Sequence, residues 1–280
     1  MKCPIKLVKK TKNKTSLEVR RMWEFMNDES NNILSGGNMN SPILNNNLIY
    51  KDATAATNTI HELLSYVRAQ GIDWIPKSYG LNSKDKHVLS YIDGFVPQET
   101  PDWIWNEDIL IEIALRLRQW HDATVNFKYE KAHWLLDNDE INEVICHNDF
   151  APYNCVFKNK NFKGLIDFDV CSPGSRIWDI AYTSYRFIPL FPDKNKGKHS
   201  EVSPFSKEVM LIRLKLFLNT YSNNNKEFLY DEEEVIDKIV KRLKVLASWS
   251  ESYGLKTQNQ EMQKNAKMYL LHAKWIKSLI

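Results

Sequence analysis

The residues with the clearest chemical potential lie in the stretch 144–169, where three polar side chains stand at fixed spacing among apolar neighbours. They are Asp149, Asn154 and Asp167. An amide oxygen and a carboxylate suit a hard cation such as Mg²⁺, which prefers oxygen ligands and keeps several waters when it also binds phosphates. Asp149, five residues before Asn154, would then lie beside the metal as the residue that accepts or orients a proton.

The convergence of Asn154 and Asp167 depends on a β-hairpin between them. Two apolar runs, 155–157 and 164–166, flank a polar stretch, which is typical of two strands joined by a turn. A turn centred between residues 160 and 161 places Asn154 opposite Asp167, with Cβ atoms about 4.5–5.5 Å apart. We therefore expect both oxygens to bind one cation at the open end of the hairpin.

The same stretch resembles the catalytic core of the aminoglycoside phosphotransferase and choline kinase superfamily, which shares its fold with the protein kinases. The family pattern is H-x-D-x-x-x-x-N followed by an apolar strand ending in I-D; here it is H-N-D-F-A-P-Y-N from residue 147, then L-I-D. The commonest family form has Gly where this chain has Asn148. The resemblance implies catalytic roles for His147 and Asp149, with Asn154 and Asp167 as Mg²⁺ ligands.

This resemblance also implies an α+β, bilobal protein-kinase-like fold. The N-lobe should be a small antiparallel sheet with one helix, and the C-lobe should be mostly helical. We place the nucleotide-binding N-lobe in residues 1–92, of which 1–32 form an extension whose role the sequence leaves open. Catalysis and substrate binding are expected in residues 93–280.

Three strands are expected between residues 33 and 51, the first two joined by S-G-G-N, which resembles the equivalent loop of one branch of the family. Gly36, Gly37 and Asn38 can bring backbone N–H groups close to a nucleotide phosphate. A tight turn requires such a glycine pair equally. Lys51, on the third strand, has the position that holds the α/β-phosphates in kinase-like lobes. An exposed lysine at a strand end is an equal alternative.

A helix is predicted over residues 57–70 from its apolar stripe, and Gly71 can end it. Kinase-like lobes carry a glutamate on this helix that pairs with the strand lysine. Glu62 is the candidate, but Thr59 and Glu62 also form a capping box, which is the favoured interpretation. His61 is the alternative residue for the position that faces Lys51.

The segment S-Y-I-D-G at 90–94 resembles the family's hinge, where backbone groups bind the edge of the nucleotide base. Ser90 and Ile92 are the candidate residues by position. Strands are expected at 75–81 and 87–92, before the chain crosses to the second lobe.

Beyond Asp167, Asp169 is either a second metal ligand, since kinases often hold two Mg²⁺ ions, or a partner for nearby backbone. Asp179 resembles the family's structural aspartate, which bonds back to the catalytic loop. His121 lies near the end of a helix that begins at about residue 106, and we expect it to be structural. Further helices are expected at about 206–221, 231–250 and 258–277.

The composition is that of an ordinary globular protein. The 280 residues are 43% apolar and 26% charged, with a net charge of +3, so neither nucleic acid nor a membrane is expected as a partner. The four cysteines show no C-x-x-C spacing, and no apolar stretch follows the basic N-terminus. We expect a cytoplasmic monomer or homodimer.

The expected activity is transfer of the γ-phosphoryl group of ATP or GTP to a hydroxyl of a small molecule, an antibiotic or a metabolite, with Mg²⁺ as cofactor. The lysine-rich loop 193–206 and a capping role for the acidic run 231–234 disfavour a polycationic aminoglycoside as acceptor. The alternative is a non-catalytic kinase-like binding or toxin-immunity protein, because relatives with the S-G-G-N and H-N-D-x-A-P-x-N patterns carry such labels. A protein kinase is disfavoured because no A-P-E-like element follows Asp167.

Overall fold

The computed structural model describes residues 32–33, 42–136, 141–192 and 203–280. The S-G-G-N loop, the N-terminal extension and most of the lysine-rich loop lie outside these residues. Three cysteines within the described part are buried and form no disulfide, namely Cys146, Cys155 and Cys171. None of the helices described here is both long and apolar enough to cross a membrane.

The described residues of the N-terminal region form an antiparallel five-stranded sheet, in the strand order β1-β2-β3-β5-β4, and one helix. Its strands are β1 (Asn32–Ile33), β2 (Ile43–Asn45), β3 (Leu48–Asp52), β4 (Ser78–Leu81) and β5 (Lys86–Ser90). Asn46 and Asn47 both have left-handed backbone angles, φ 50° and 59°, as the two-residue turn between β2 and β3 requires. This turn fixes the pairing of β2 with β3. On its other side β3 pairs with β5, which places Lys51 opposite His87.

Helix α1 (Thr57–Ala69) packs its apolar stripe into the core, as predicted: Ile60, Leu63, Leu64 and Val67 are all buried. The predicted capping box is wrong. Ala56 is the residue before the helix, and Thr59 lies inside it. The Thr59 hydroxyl instead accepts a hydrogen bond from the His133 backbone N–H at 2.8 Å, which ties the helix to the second half of the chain.

Helices dominate the C-terminal region. They are α2 (Glu107–Thr124), α3 (Arg176–Phe187), α4 (Lys207–Ser222), α5 (Glu232–Thr257) and α6 (Gln260–Ile276). Asp231 caps α5 by accepting the N–H of Glu233 at 2.9 Å, so the capping role predicted for the acidic run is confirmed at this residue. Together with the sheet, these helices give the predicted α+β, protein-kinase-like fold; the lobe boundary after residue 92 stays a prediction.

Two short ladders carry the motif residues between the helices. Strand β6 (Val144–Cys146) pairs with β9 (Ser172–Gly174), and β7 (Cys155–Lys158) pairs with β8 (Asn161–Leu165). The indole N–H of Trp120 donates to the Ile145 carbonyl at 2.7 Å, and the Ile145 N–H donates to the Thr124 hydroxyl at 3.1 Å. Helix α2 therefore holds β6, and through β6 the start of the motif loop.

The predicted register of the β7–β8 hairpin is wrong by one residue. Asn159 and Lys160 form the turn with left-handed φ of 53° and 64°, and a bulge follows on the β8 side. As a result, Asn154 lies opposite Ile166, whose N–H donates to the Asn154 carbonyl at 2.9 Å. Asp167 is the next residue, so the two predicted metal ligands share the open end of the hairpin without facing each other directly.

Two glycines allow this hairpin to lie against the N-terminal region. A Cβ at Gly164 would lie 2.4 Å from the Trp74 carbonyl oxygen, and one at Gly94 would lie 2.6 Å from the Phe157 carbonyl oxygen. Both distances are shorter than real contacts permit, so only glycine fits. The close approach at Gly164 holds β8 against the segment before β4, and Asp167, two residues after β8, reaches Lys51 on β3.

Candidate active site

A buried carboxylate binds the first two residues of the motif loop, which comprises residues 147–154. Asp179 on α3 accepts the backbone N–H groups of His147 at 2.7 Å and Asn148 at 2.9 Å, and it pairs with His121 at 3.2 Å. Although burial opposes ionisation, the hydrogen bond from His121 helps to hold the pKa of Asp179 below its ordinary value. His121 in turn contacts the Tyr221 hydroxyl at 2.7 Å. The expected supporting role of Asp179 matches this geometry, and His121, which we expected to be structural, belongs to the same support.

The backbone angle of Asn148 explains why this position accepts glycine or asparagine. Its φ is 66°, in the left-handed region that these two residue types tolerate best. The side-chain amide donates to the Val170 carbonyl and the Ser172 hydroxyl, both at 2.9 Å. Arg242 on α5 donates to the Asn148 carbonyl at 2.6 Å and to its side-chain oxygen at 3.2 Å. The loop is thereby tied to both β9 and α5.

His147, predicted to be catalytic, is completely buried. Its Nδ1 accepts the Asp149 N–H at 3.3 Å, so Nε2 carries the proton and donates to the Ile166 carbonyl at 3.2 Å. Burial lowers the pKa of His147, which keeps the ring neutral. The ring cannot touch a substrate, and its geometry supports a positioning role for the Asp149 backbone instead.

Asp149 has both carboxylate oxygens engaged. Oδ1 accepts the Tyr153 hydroxyl at 2.6 Å, and Oδ2 accepts the Asn154 amide at 2.8 Å. Burial, together with the charge of Asp167, raises the pKa of Asp149 to about 6, against the two hydrogen bonds that favour the ionised form. A carboxylate with a pKa this close to neutrality is well suited to accept a proton.

The tyrosines beside Asp149 were missed in the sequence. The hydroxyls of Tyr153 and Tyr182 lie 2.8 Å apart. Because Tyr153 donates its proton to Asp149, Tyr182 donates to Tyr153. Tyr153 directly precedes Asn154, so its position in the motif was a readable signal. Tyr182 lies on α3, and no local signal connects it to the loop.

The Lys51 side chain on β3 forms ion pairs with two carboxylates that follow β8. Its ammonium lies 2.9 Å from Asp167 Oδ1 and 2.7 Å from Asp169 Oδ2. Burial opposes the charge, but the two aspartates hold the pKa of Lys51 above its ordinary value. The structure thus brings together Lys51, Asp167 and Asp169, three of the residues that the sequence singled out.

The donor set at this point fits a hard cation. The Asn154 side-chain NH₂ donates to the carbonyl and to Oδ2 of Asp149, which leaves the amide oxygen available as a metal ligand. Asp167 is the most exposed member of the set. It directly follows Ile166, whose N–H donates to the Asn154 carbonyl at 2.9 Å, so Asp167 lies close to Asn154. Among the described residues no cluster of three or more His, Cys, Asp or Glu could hold a metal. One amide and one or two carboxylates, completed by water and phosphate, match what Mg²⁺ requires.

The residues predicted to bind the nucleotide are only partly described. Gly36, Gly37 and Asn38 lie outside the described residues. The Ser90 N–H donates to the Lys77 carbonyl at 2.8 Å, so it is engaged within the sheet region. The Ile92 backbone has no such bond to another backbone group of the described chain, which leaves it as the better hinge candidate.

Comparison with known proteins identifies the family. The model of the phosphotransferase enzyme family matches residues 54–194, half of the chain and the whole motif region. The trifolitoxin immunity protein of Rhizobium leguminosarum bv. trifolii is 28% identical over 175 residues, which cover 60% of this chain. The chain spans 65% of the length of this curated relative.

Solved structures share the fold over nearly the whole chain. An ethanolamine kinase of Plasmodium vivax matches with a TM-score of 0.63 at 13% identity, covering 96% of this chain and 93% of that one. A choline kinase of Cryptosporidium parvum matches with a TM-score of 0.59 at 12% identity, covering 91% of each chain. The gentamicin complex of APH(2")-IIa matches with a TM-score of 0.56 at 15% identity, covering 95% of this chain and 99% of that one.

Proposed function

This chain belongs to the phosphotransferase enzyme family, and from that membership and the geometry of its site we propose that it transfers the γ-phosphoryl group of ATP or GTP to a hydroxyl of a small molecule. The observation that carries the proposal is the half-buried Asp149 carboxylate, which the Asn154 amide holds at 2.8 Å and whose pKa is raised to about 6. A residue that accepts or orients the hydroxyl proton and oxygen ligands for a metal ion are two recurring parts of phosphoryl-transfer sites.

Each residue has a distinct role in this proposal. The acceptor oxygen attacks the γ-phosphorus, the bond to the bridging oxygen breaks, and the nucleoside diphosphate leaves. Asp149 orients the acceptor hydroxyl and takes its proton. Lys51 contacts the phosphates, and the backbone of Ile92 contacts the base. A Mg²⁺ ion held by Asn154 and Asp167 supplies neutralisation of the phosphate charge when bound.

The test begins with the acceptor. Hydroxylated antibiotics and metabolites are incubated with the full-length protein, Mg²⁺ and either ATP or GTP, and products are detected by a mass increase of one phosphoryl group. With an acceptor identified, Asp149→Ala should lower kcat by about 10²–10⁴-fold and leave nucleotide affinity nearly unchanged. Asp237→Ala, which removes an exposed carboxylate on α5, is the matched control. Normal turnover by Asp149→Ala would contradict the assigned role.

A second candidate function is protection against a peptide toxin, which the 28% identity to the trifolitoxin immunity protein favours. The chain would be expressed in a trifolitoxin-sensitive strain, both unchanged and as Asp149→Ala. Protection that is lost with Asp149→Ala would indicate phosphorylation of the toxin or of its target. Protection that survives the substitution would indicate binding without phosphoryl transfer.

A further inference from the structure

In kinase-like enzymes an ion pair between the strand lysine and a glutamate on the neighbouring helix must form before phosphoryl transfer. Helix α1 of this chain has one acidic residue, Glu62. Glu62 is exposed at the surface of the helix, and the ion pairs of Lys51 within the described chain go elsewhere. The question is which group holds the lysine while the phosphates bind.

A hydrogen-bonded cluster of His61, Ser78 and His87 lies beside Lys51 in the N-terminal region. The Ser78 hydroxyl lies 2.9 Å from His61 Nδ1 and 2.8 Å from His87 Nε2. His87, the strand partner of Lys51, is buried, and burial together with the charge of Lys51 lowers its pKa to about 4. This cluster supplies no carboxylate, so neither it nor α1 gives the lysine the anionic partner that the helix glutamate provides in kinase-like enzymes.

The carboxylates come from across the cleft, and the two are not equivalent. The Asp169 side chain is 21% exposed and lies 2.7 Å from the lysine ammonium, whereas that of Asp167 is 46% exposed and lies 2.9 Å away. In the proposed function Asp167 is the metal ligand. A carboxylate that binds a divalent cation can no longer give its full charge to the lysine. Asp169 is then the partner that Lys51 keeps.

We infer that Asp169 is the positioning residue for Lys51, in the role that a helix glutamate has in kinase-like enzymes, and that Asp167 exchanges Lys51 for the cation when nucleotide binds. The inference rests on the proposed function. Lys51 lies on β3, and Asp169 follows β8 on the far side of the cleft. The ion pair therefore links the N-terminal sheet to the segment that follows the motif hairpin.

The test compares Asp169→Asn with Glu62→Gln in the full-length protein. Asp169→Asn should lower kcat by about 10–100-fold, because a misplaced phosphate-binding group slows transfer without removing it. Asp169→Glu, which keeps the charge, should recover part of the loss. Glu62→Gln should stay within about twofold of the wild type. Loss of kcat in Glu62→Gln would overturn the inference.

Calorimetry with Mg²⁺ and ATP separates this role from that of a metal ligand. In Asp169→Asn, the Mg²⁺ concentration that gives half-maximal ATP binding should stay within about twofold of the wild-type value. An increase of about tenfold or more would make Asp169 a metal ligand and overturn the inference. A crystal structure with Mg²⁺ and ADP should retain the ion pair between Lys51 and Asp169. Absence of metal-dependent ATP binding in the wild type would instead overturn the proposed function itself.

Discussion

Replacing Tyr153 by Phe should move the pH dependence of catalysis to higher pH. In the folded protein the Tyr153 hydroxyl donates to Asp149 Oδ1 at 2.6 Å, and this bond favours the ionised carboxylate. Burial, the largest influence, already raises the pKa of Asp149 to about 6. Without the Tyr153 hydroxyl, one of the hydrogen bonds that oppose the effect of burial is lost, so the pKa of Asp149 should rise.

The size of the effect follows from the kind of bond that is lost. A hydrogen bond to a charged group contributes about 1.5–3 kcal/mol, and one pH unit corresponds to about 1.4 kcal/mol. The Asn154 amide still donates to Oδ2 at 2.8 Å, and an acceptor hydroxyl can partly replace the phenol. We therefore expect the lower end of this range, a rise of about one pH unit.

The assay is kcat/KM measured from pH 5 to pH 9, which reports ionisations of the free enzyme. With the acid limb moved up by about one pH unit, the ionised fraction of Asp149 at pH 6 falls from about one half to about one tenth. The variant should therefore be about fivefold slower at pH 6 and nearly unchanged above pH 8. Tyr182→Phe removes only the donor to Tyr153, and its acid limb should move in the same direction by less.

Tyr66→Phe is the matched control. Tyr66 lies on α1 and packs against Phe127, away from the motif loop. Its pH profile should coincide with that of the wild type. An acid limb of Tyr153→Phe that stays in place, or that moves to lower pH, would refute the reasoning. Asp149 would then not be the group whose ionisation limits the reaction, or the phenol would not stabilise its charge.

Two further predictions concern the support of the motif loop and are measured by chemical denaturation. Asp179→Asn should lower the free energy of unfolding by about 2–4 kcal/mol at pH 7, because the buried carboxylate accepts two backbone N–H groups. The folded-state pKa of Asp179 is depressed, so this stabilisation is present above its ordinary value of 3.8 and is lost as the pH falls through the folded value; the difference between variant and wild type should shrink below about pH 4. Asn148→Ala should cost about 1–3 kcal/mol, through strain at φ 66° and loss of the bonds to Val170 and Ser172. Asn148→Gly relieves the strain and should cost less; equal costs would show that backbone strain contributes nothing at this position.

The motif and the elements around it could be predicted from the sequence because they depend on local spacing. The apolar periodicity of residues 57–70 predicts α1, and the separation of Asp149 from Asn154 predicts one loop that carries both. The hairpin was predicted, but its register was not. A left-handed turn at Asn159 and Lys160, followed by a bulge, shifts the pairing by one residue.

The partners of these residues were decided by the tertiary structure alone. Lys51 and Asp167 are 116 positions apart, and their ion pair depends on the packing of the hairpin, which approaches Trp74 closely at Gly164. The same holds for Tyr182, which reaches Tyr153 from another helix, and for Glu62, which has the residue type of a lysine partner but lies on the solvent side. Residue type and spacing along one element are local properties, so the amino-acid order is enough to show which groups are available for chemistry. Which of those groups meet depends on how separate elements pack, and that packing set the charge and hydrogen bonding at Asp149 and Lys51.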